Sequence, residues 1–357
     1  MDIKQLLSEM VSRNGSDLFC RAGGVPRVRV DGRIMELGEN VLSTDDVLKI
    51  VEQITNLEQR ELFKRNLDID FALFLEEFSR RFRVSIFMQR NWPALVIRNI
   101  RNEIPSFGEL SLPGEVLKKL ALETRGLILL TGSAGSGKST TIASMIEYSN
   151  QYSHRHILTV EEPIEFTFKD KHCLINQREL GLDVTSYSVA LRAFTLQSPD
   201  VIFIGNIRDE ETMSAALTAA ETGVLVMSTL HTVNAPQTVE RIINFFPPHQ
   251  HQQIRIQLSY LLKGVISLRL VPLKEETGRV PACEVMLLTP TISRLIREGK
   301  TWEMTQFIED GSVYGMQSFN QALVKLVSEG KIAEGEAIAF SDNKEEFLLA
   351  LKGFKKK

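Results

Sequence analysis

Through the first hundred residues apolar and polar positions alternate singly, the period of a strand with one buried face. Val28 and Val30 interleave with Arg27 and Arg29 ahead of an Asp31, Gly32 turn, and Phe82, Val84 and Ile86 lie on the face opposite Arg81 and Arg83. Both stretches predict half-buried antiparallel strands. Between them the stretch 44–63 carries helical spacing, with Val47, Ile50, Val51 and Ile54 on one stripe. A small α+β domain over residues 1–100 follows. Residues 101–113, RNEIPSFGELSLP, break both periods with Pro105, Gly108 and Pro113, and read as a linker. From 114 to 357 the pattern changes to continuous apolar runs at 126–130, 156–160, 201–205 and 224–230, each the length of one strand buried on both faces. Helical segments separate them, including 139–149 and 210–222, the latter stopped by Gly223. Strands alternating with helices predict an α/β domain built on a parallel sheet. The last 70 residues read as helical, closing on a frayed GFKKK tail.

Composition narrows the function classes. A length of 357 residues suits about two domains. The net charge of −3 gives no global basic field for nucleic acid or an anionic membrane, so a nucleic-acid partner is not expected. No apolar run approaches the length of a membrane span, and Asp2 and Glu9 interrupt the N-terminal segment where a signal core would lie. Cys20, Cys173 and Cys283 are too few and too scattered for a disulfide framework or a local metal pair, which fits a reducing cytoplasm.

The sharpest signal is GSAGSGKST. Gly132, Ser133, Ala134, Gly135, Ser136, Gly137, Lys138, Ser139 and Thr140 satisfy G-x-x-x-x-G-K-[ST] between an apolar strand and a helix. The glycines allow consecutive N–H groups to turn inward around a β-phosphate at the helix N-terminus. Lys138 would bridge β- and γ-phosphates and the Ser139 hydroxyl would ligate Mg²⁺, so ATP and Mg²⁺ are the expected ligands. Hydrolysis needs acids at the ends of neighbouring strands. Glu161, Glu162 and Glu165 follow the run at 156–160, and His231 follows the run at 224–230. The remaining strand end carries Gly205 and Asn206 where a carboxylate is expected.

In this order the pieces resemble the secretion ATPases, and within them the PilT/PilU family of type IV pilus retraction motors. The likeness runs over nearly the whole chain: SDLF (16–19), VDGR (30–33), RFRVSIFMQR (81–90), the phosphate loop, ILTVEEPIEF (157–166, similar to an Asp box), INQRELGLD (175–183), PDVIFIGNIRD (199–209, a Walker B region), AAETG with STLHT (219–232, a His box), TISRLIREGK (291–300) and GMQSFNQAL (315–323). TISRLIRE is similar to the family's retraction-type motif, and QRELGLD, RIINFFP and the helical tail lean toward the PilU branch. The resemblance implies an N-terminal PAS-like domain, a C-terminal RecA-like domain with a helical extension, and a homohexameric ATPase. It implies cytoplasmic location at the inner face of the membrane, an inner-membrane platform partner and an active paralogue.

Carried over by position, Glu165 would be the base that activates water, Glu161 and Glu162 would shape the Asp box, and His231 would sense the γ-phosphate. Arg81, Arg83 and Arg98 would reach a neighbour's phosphates. The same arginines also suit a solvated strand face, His231 a packing histidine, and Glu165 an exposed carboxylate beyond the Pro163 turn. Three departures cluster at the centre: Asn206 replaces the Walker B glutamate, Leu196 an arginine, and Val224 a histidine. Losing a carboxylate about 5 Å from Mg²⁺ forfeits on the order of 3 kcal/mol, roughly a hundredfold in rate. Asp209 or a bridging water could compensate, and an introduced substitution trapping the nucleotide-bound form would read the same way. The expectation is therefore a motor for pilus retraction, with an ATP-binding, hydrolysis-impaired accessory subunit as the alternative.

Overall fold

Two units divide the chain, the first comprising Met1–Glu103 with Glu165–Thr167, the second Ile104–Ile164 with Phe168–Lys357. The computed structural model describes all residues but Met1, Asp31, Ser79, Arg101, Asn102, Glu276, Thr277 and 353–357. The expected turn residue Asp31, the first two linker residues and the GFKKK tail thus lie outside the described residues.

In the first unit, six strands form one antiparallel sheet: β1 (Asp17–Arg21), β2 (Arg27–Val30), β3 (Arg33–Glu36), β4 (Asp68–Leu75), β5 (Arg80–Gln89) and β6 (Trp92–Asn99), in the order β3-β2-β1-β6-β5-β4. Alternation decides its faces. Val28, Phe82, Val84 and Ile86 enter one core with Ile3, Leu6, Leu7 and Met10 of the helix Ile3–Ser12. The stripe Val47, Ile50, Val51 and Ile54 joins the same core. The single helix expected over 44–63 is instead two, Thr44–Ile54 and Leu57–Asn66. Asn56 is the reason: its side chain accepts from the Gln59 N–H while Gln59 accepts from the Asn56 N–H, a capping box that starts a new helix. On the sheet's other face, Asp17 stands in register with Arg29 and Arg98, and Arg98 with Arg83.

In the second unit the remaining strands are β7 (Gly126–Thr131), β8 (His156–Glu161), β9 (Leu174–Glu179), β10 (Val201–Ile204), β11 (Leu225–Leu230), β12 (Leu262–Pro272) and β13 (Arg279–Leu287), ordered β13-β12-β7-β11-β10-β8-β9. All neighbours run parallel except β12 and β13. Every residue of β7 is buried, Leu127 and Leu129 in one core and Ile128 and Leu130 in another, so the continuous apolar run reflects helices covering both faces. The ladder between β7 and β12 shifts at Leu262/Gly264, where Lys263 is the extra residue of a bulge. Helices of the C-terminal region pack on the β12–β13 hairpin through Phe319, Leu323 and Phe347 against Val271 and Val280. Arg269 fastens them further: its guanidinium lies 3.7 Å from the Phe319 ring centroid and donates to Phe340 O at 2.7 Å. Residues 104–113 of the segment read as a linker pack into this unit, with Phe107 and Leu112 in its core and Pro105 O accepting from Ser144 Oγ at 2.7 Å. The α/β class with a helical C-terminal extension is the one the sequence implied.

Candidate functional site

Strand β7 ends at Thr131, and the chain turns through residues 132–137 into the helix Lys138–Tyr152. Glycine is required at the turn. Gly132 has φ +141°, and a Cβ there would lie 2.5 Å from both Leu268 O and Ser136 Oγ. Gly137, at φ +95°, occupies the N-cap position and offers no side chain, so the helix begins with N–H groups uncapped by side chains. Lys138 is buried and folds back to donate from Nζ to Gly132 O and Ser133 O, each at 2.8 Å. Ser136 Oγ is buried and has no hydrogen-bond partner among the described residues. Ser133, Ala134 and Gly135 form the exposed tip, while Ser139 and Thr140 are half-buried on the first helical turn.

The ends of β8, β10 and β11 converge by backbone and hydroxyl bonds. Thr229 Oγ1 donates to Gly205 O at 2.6 Å, Ser228 Oγ to Ile204 O at 2.7 Å, and the Ile207 N–H to Thr229 O at 3.1 Å. Asn206 is thereby fixed in a buried position, yet its Oδ1 has no partner among the described residues. Asp209, the residue that could have replaced the missing carboxylate, accepts from the Thr212 N–H at 2.8 Å and caps the helix Glu210–Glu221. Glu161 is buried and accepts from Thr159 Oγ1 at 2.6 Å and Gln177 Nε2 at 3.1 Å. Glu162 is exposed and pairs with Arg208 at 3.2 Å.

His231 is exposed, and desolvation, followed by the charges of Lys138 and Arg208, holds its imidazole below the usual histidine range. It is therefore neutral at pH 7. Those same charges mean that His231 lies within electrostatic reach of the phosphate-loop lysine. Tyr187 and Arg208, which sequence reasoning did not single out, belong to this group. Burial, with Glu162 second, pushes the Tyr187 hydroxyl up to about 12, and that oxygen is buried without a hydrogen-bond partner among the described residues.

The second unit thus brings together the phosphate loop, Glu161, Glu162, Asn206 and His231. Glu165 is exposed and belongs with Phe166 and Thr167 to the first unit, as do Arg81, Arg83 and Arg98. Arg98 Nε donates to the buried Asp17 at 2.8 Å, Arg29 lies 3.4 Å from the same carboxylate, and Arg83 lies 3.4 Å from Asp70. These side chains are organised by carboxylates of their own sheet.

The chemistry of the loop fits a polyphosphate. An uncapped helix start offers N–H donors, Lys138 carries a charge on a side chain that donates to two loop carbonyls it can exchange for phosphate oxygens, and Ser136 has a hydroxyl to give. Asn206 Oδ1, an acceptor without a donor among the described residues, suits a water of a hydrated Mg²⁺ ion, and the Ser139 hydroxyl is of the kind that ligates such an ion directly.

Residues 1–337 match the family model described as Type II/IV secretion system protein. The type IV pilus ATPase PilU of Pseudomonas aeruginosa is 43% identical over 352 residues, 99% of this chain and 92% of its own. The type IV pilus retraction ATPase PilT of the same organism is 42% identical over 337 residues, 94% of this chain and 97% of its own. The crystal structure of the pilus retraction motor PilT with bound ADP is similar with a TM-score of 0.90 and 41% identity, across 97% of this chain and 98% of that one.

Proposed function

This chain belongs to the type II/IV secretion system protein family, among its PilT/PilU retraction ATPases, and from that premise we propose that it hydrolyses ATP to drive type IV pilus retraction. The observation that carries this reading is the phosphate loop, with glycine forced at 132, a helix start without a side-chain cap and a buried Ser136 hydroxyl in want of an acceptor. Loop N–H groups hold the β-phosphate, and Lys138 trades its two loop carbonyls for phosphate oxygens. Ser139 and Asn206 would hold Mg²⁺, the former directly and the latter through its hydration shell. When bound, the ion supplies charge neutralisation at the β- and γ-phosphates.

Glu165 takes the proton of the attacking water. Glu162, steered by Arg208, and Glu161, clamped by Thr159 and Gln177, fix the segment that carries Glu165. Neutral His231 donates a hydrogen bond to the γ-phosphate and loses that contact on hydrolysis. The work is done by a homohexamer in the cytoplasm, seated against a membrane platform protein. Arg81, Arg83 and Arg98 answer a neighbouring subunit's nucleotide, and loss of the γ-phosphate contacts biases domain closure. Twitching motility is the cellular outcome.

Steady-state ATP turnover of the purified chain tests the reading. Lys138→Ala is expected to abolish nucleotide binding, and Glu165→Ala to abolish turnover while ATP still binds. Asn206→Glu is expected to raise turnover by up to roughly a hundredfold, the charge that the amide lacks. Tight ATP binding with negligible turnover by the unaltered chain, restored in Asn206→Glu, would replace the motor with an accessory subunit that supports an active paralogue.

A further inference from the structure

One buried carboxylate of the second unit has no part in the chemistry above. Glu284 stands in the middle of β13, between Cys283 and Val285, and only 2% of it is exposed. An acid surrounded by apolar strand residues requires donors. Its Oε1 accepts from the Ala235 N–H at 2.7 Å and from Ser267 Oγ at 3.1 Å. Ser267 on β12 is opposite Glu284 on one side and opposite Thr131 of β7 on the other. Thr131 Oγ1 lies 3.0 Å from Ser267 Oγ and donates to it. Three adjacent strands therefore each place one polar side chain in a single row through an apolar interior, with both hydroxyl protons directed toward the carboxylate.

Both ends of this row reach the site. Thr131 immediately precedes Gly132, where the phosphate loop begins. Ala235 is the first residue of the helix Ala235–Ile243, into which the segment carrying His231 leads. Beyond it, Thr238 Oγ1 holds Asn234 O at 2.7 Å and shares a 2.7 Å bond with Thr232, so the segment 231–235 is fixed to that helix start.

We propose that Glu284 is a positioning residue that couples the phosphate loop to the His231 segment through the row Thr131–Ser267–Glu284–Ala235. The coupling rests on the nucleotide reading of the phosphate loop. A displacement of Thr131 when phosphate binds is transmitted to Ser267 and, at the shared carboxylate oxygen, competes with or reinforces the bond that sets the start of the His231-bearing segment. The charge on that oxygen sets how tightly both donors are held. Burial pushes Glu284 up to about 7, against the bonds from Ala235 and Ser267. The charged groups bearing on it are Asp342, which adds to the rise, and Arg269 on β12, which opposes it; these two pair with each other. The row therefore changes its charge across neutral pH.

The test compares the unaltered chain with Ser267→Ala, Glu284→Gln and Lys138→Ala. ATP turnover is followed from pH 6 to 8.5, with amide hydrogen exchange at 231–235 measured with and without ATP. Ser267→Ala is expected to keep KM within about twofold, lower kcat about tenfold and remove the ATP-induced protection of the Ala235 amide. Glu284→Gln keeps an acceptor oxygen, so it is expected to retain kcat within about threefold but to lose the step near pH 7 in the kcat profile. If Glu284→Gln fails to fold, the exchange pattern of Ser267→Ala decides alone. Normal kcat, pH profile and ATP-induced protection in the row variants, with Lys138→Ala unable to bind, overturns the coupling and leaves the nucleotide site standing. Normal nucleotide binding by Lys138→Ala overturns both.

Discussion

A carboxyl group nearly sealed from water makes stability depend on pH. Glu284 titrates at about 7 in the folded chain against an ordinary value of 4.5. Between those values the folded state holds a proton that the unfolded state has released, so stability falls as pH rises through this interval and is level above it. The displacement corresponds to about 3 kcal/mol. Comparing denaturation midpoints at pH 5 and pH 8, the unaltered chain is expected to lose more stability over this span than Glu284→Gln, by about that amount. An equal loss in both would assign the titration elsewhere. Legibility differed sharply among such residues. Lys138 and Ser139 lie in a motif whose spacing encodes its chemistry, and His231 and Asn206 were found because strand ends are where the chemistry gathers. Glu284 and Tyr187 belong to no motif. The available signal for Glu284 was a single acid inside PACEVML, a run otherwise free of charge, which in a buried strand must mean a partnered group.

Elements were legible where one period governed them. The buried strands β7, β8, β10 and β11 read directly from their apolar runs, and β2 and β5 of the first sheet from single alternation, while β1, β4 and β6 were not assigned. The hairpin β12–β13 and the strand β9 were not assigned, because Arg269, Ser267 and Glu284 interrupt the first two and β9 lies at a sheet edge with only partial burial. The split at residue 56 was spelled in the sequence by Asn56 and Gln59 but masked by continuing helical spacing. That second helix, Leu57–Asn66, has no buried residue, so its caps matter more than its packing. Asn56→Ala is expected to cost about 1 kcal/mol and to raise amide exchange throughout 57–66. Unchanged exchange there would mean that tertiary contacts hold the helix.

At the scale of the whole molecule, each unit has its own apolar core, among the described residues one cluster in the first and three in the second. Phe82 is fully buried in the first. Phe82→Ala is expected to lower the unfolding transition of the first unit by about 3–5 kcal/mol, while ATP raises chiefly that of the second, which carries the phosphate loop. Calorimetry with and without nucleotide resolves the two; a single transition moved by both changes would contradict the expectation. Fold class was legible at this scale because the change from alternating to continuous apolar positions marks two ways of covering a sheet. The bulge at Lys263 has a further consequence. Counted regularly from the pairing of Leu262 with Leu127, Ile266 would arrive opposite Thr131 and the serine hydroxyl would be turned to the reverse side of the sheet. One surplus residue is the phase adjuster that brings the hydroxyl round. The length of that stretch is therefore as constrained as its buried residues: an insertion or deletion between Leu262 and Ser267 must either unwind the end of the preceding helix or leave a well-formed protein deaf to its own nucleotide.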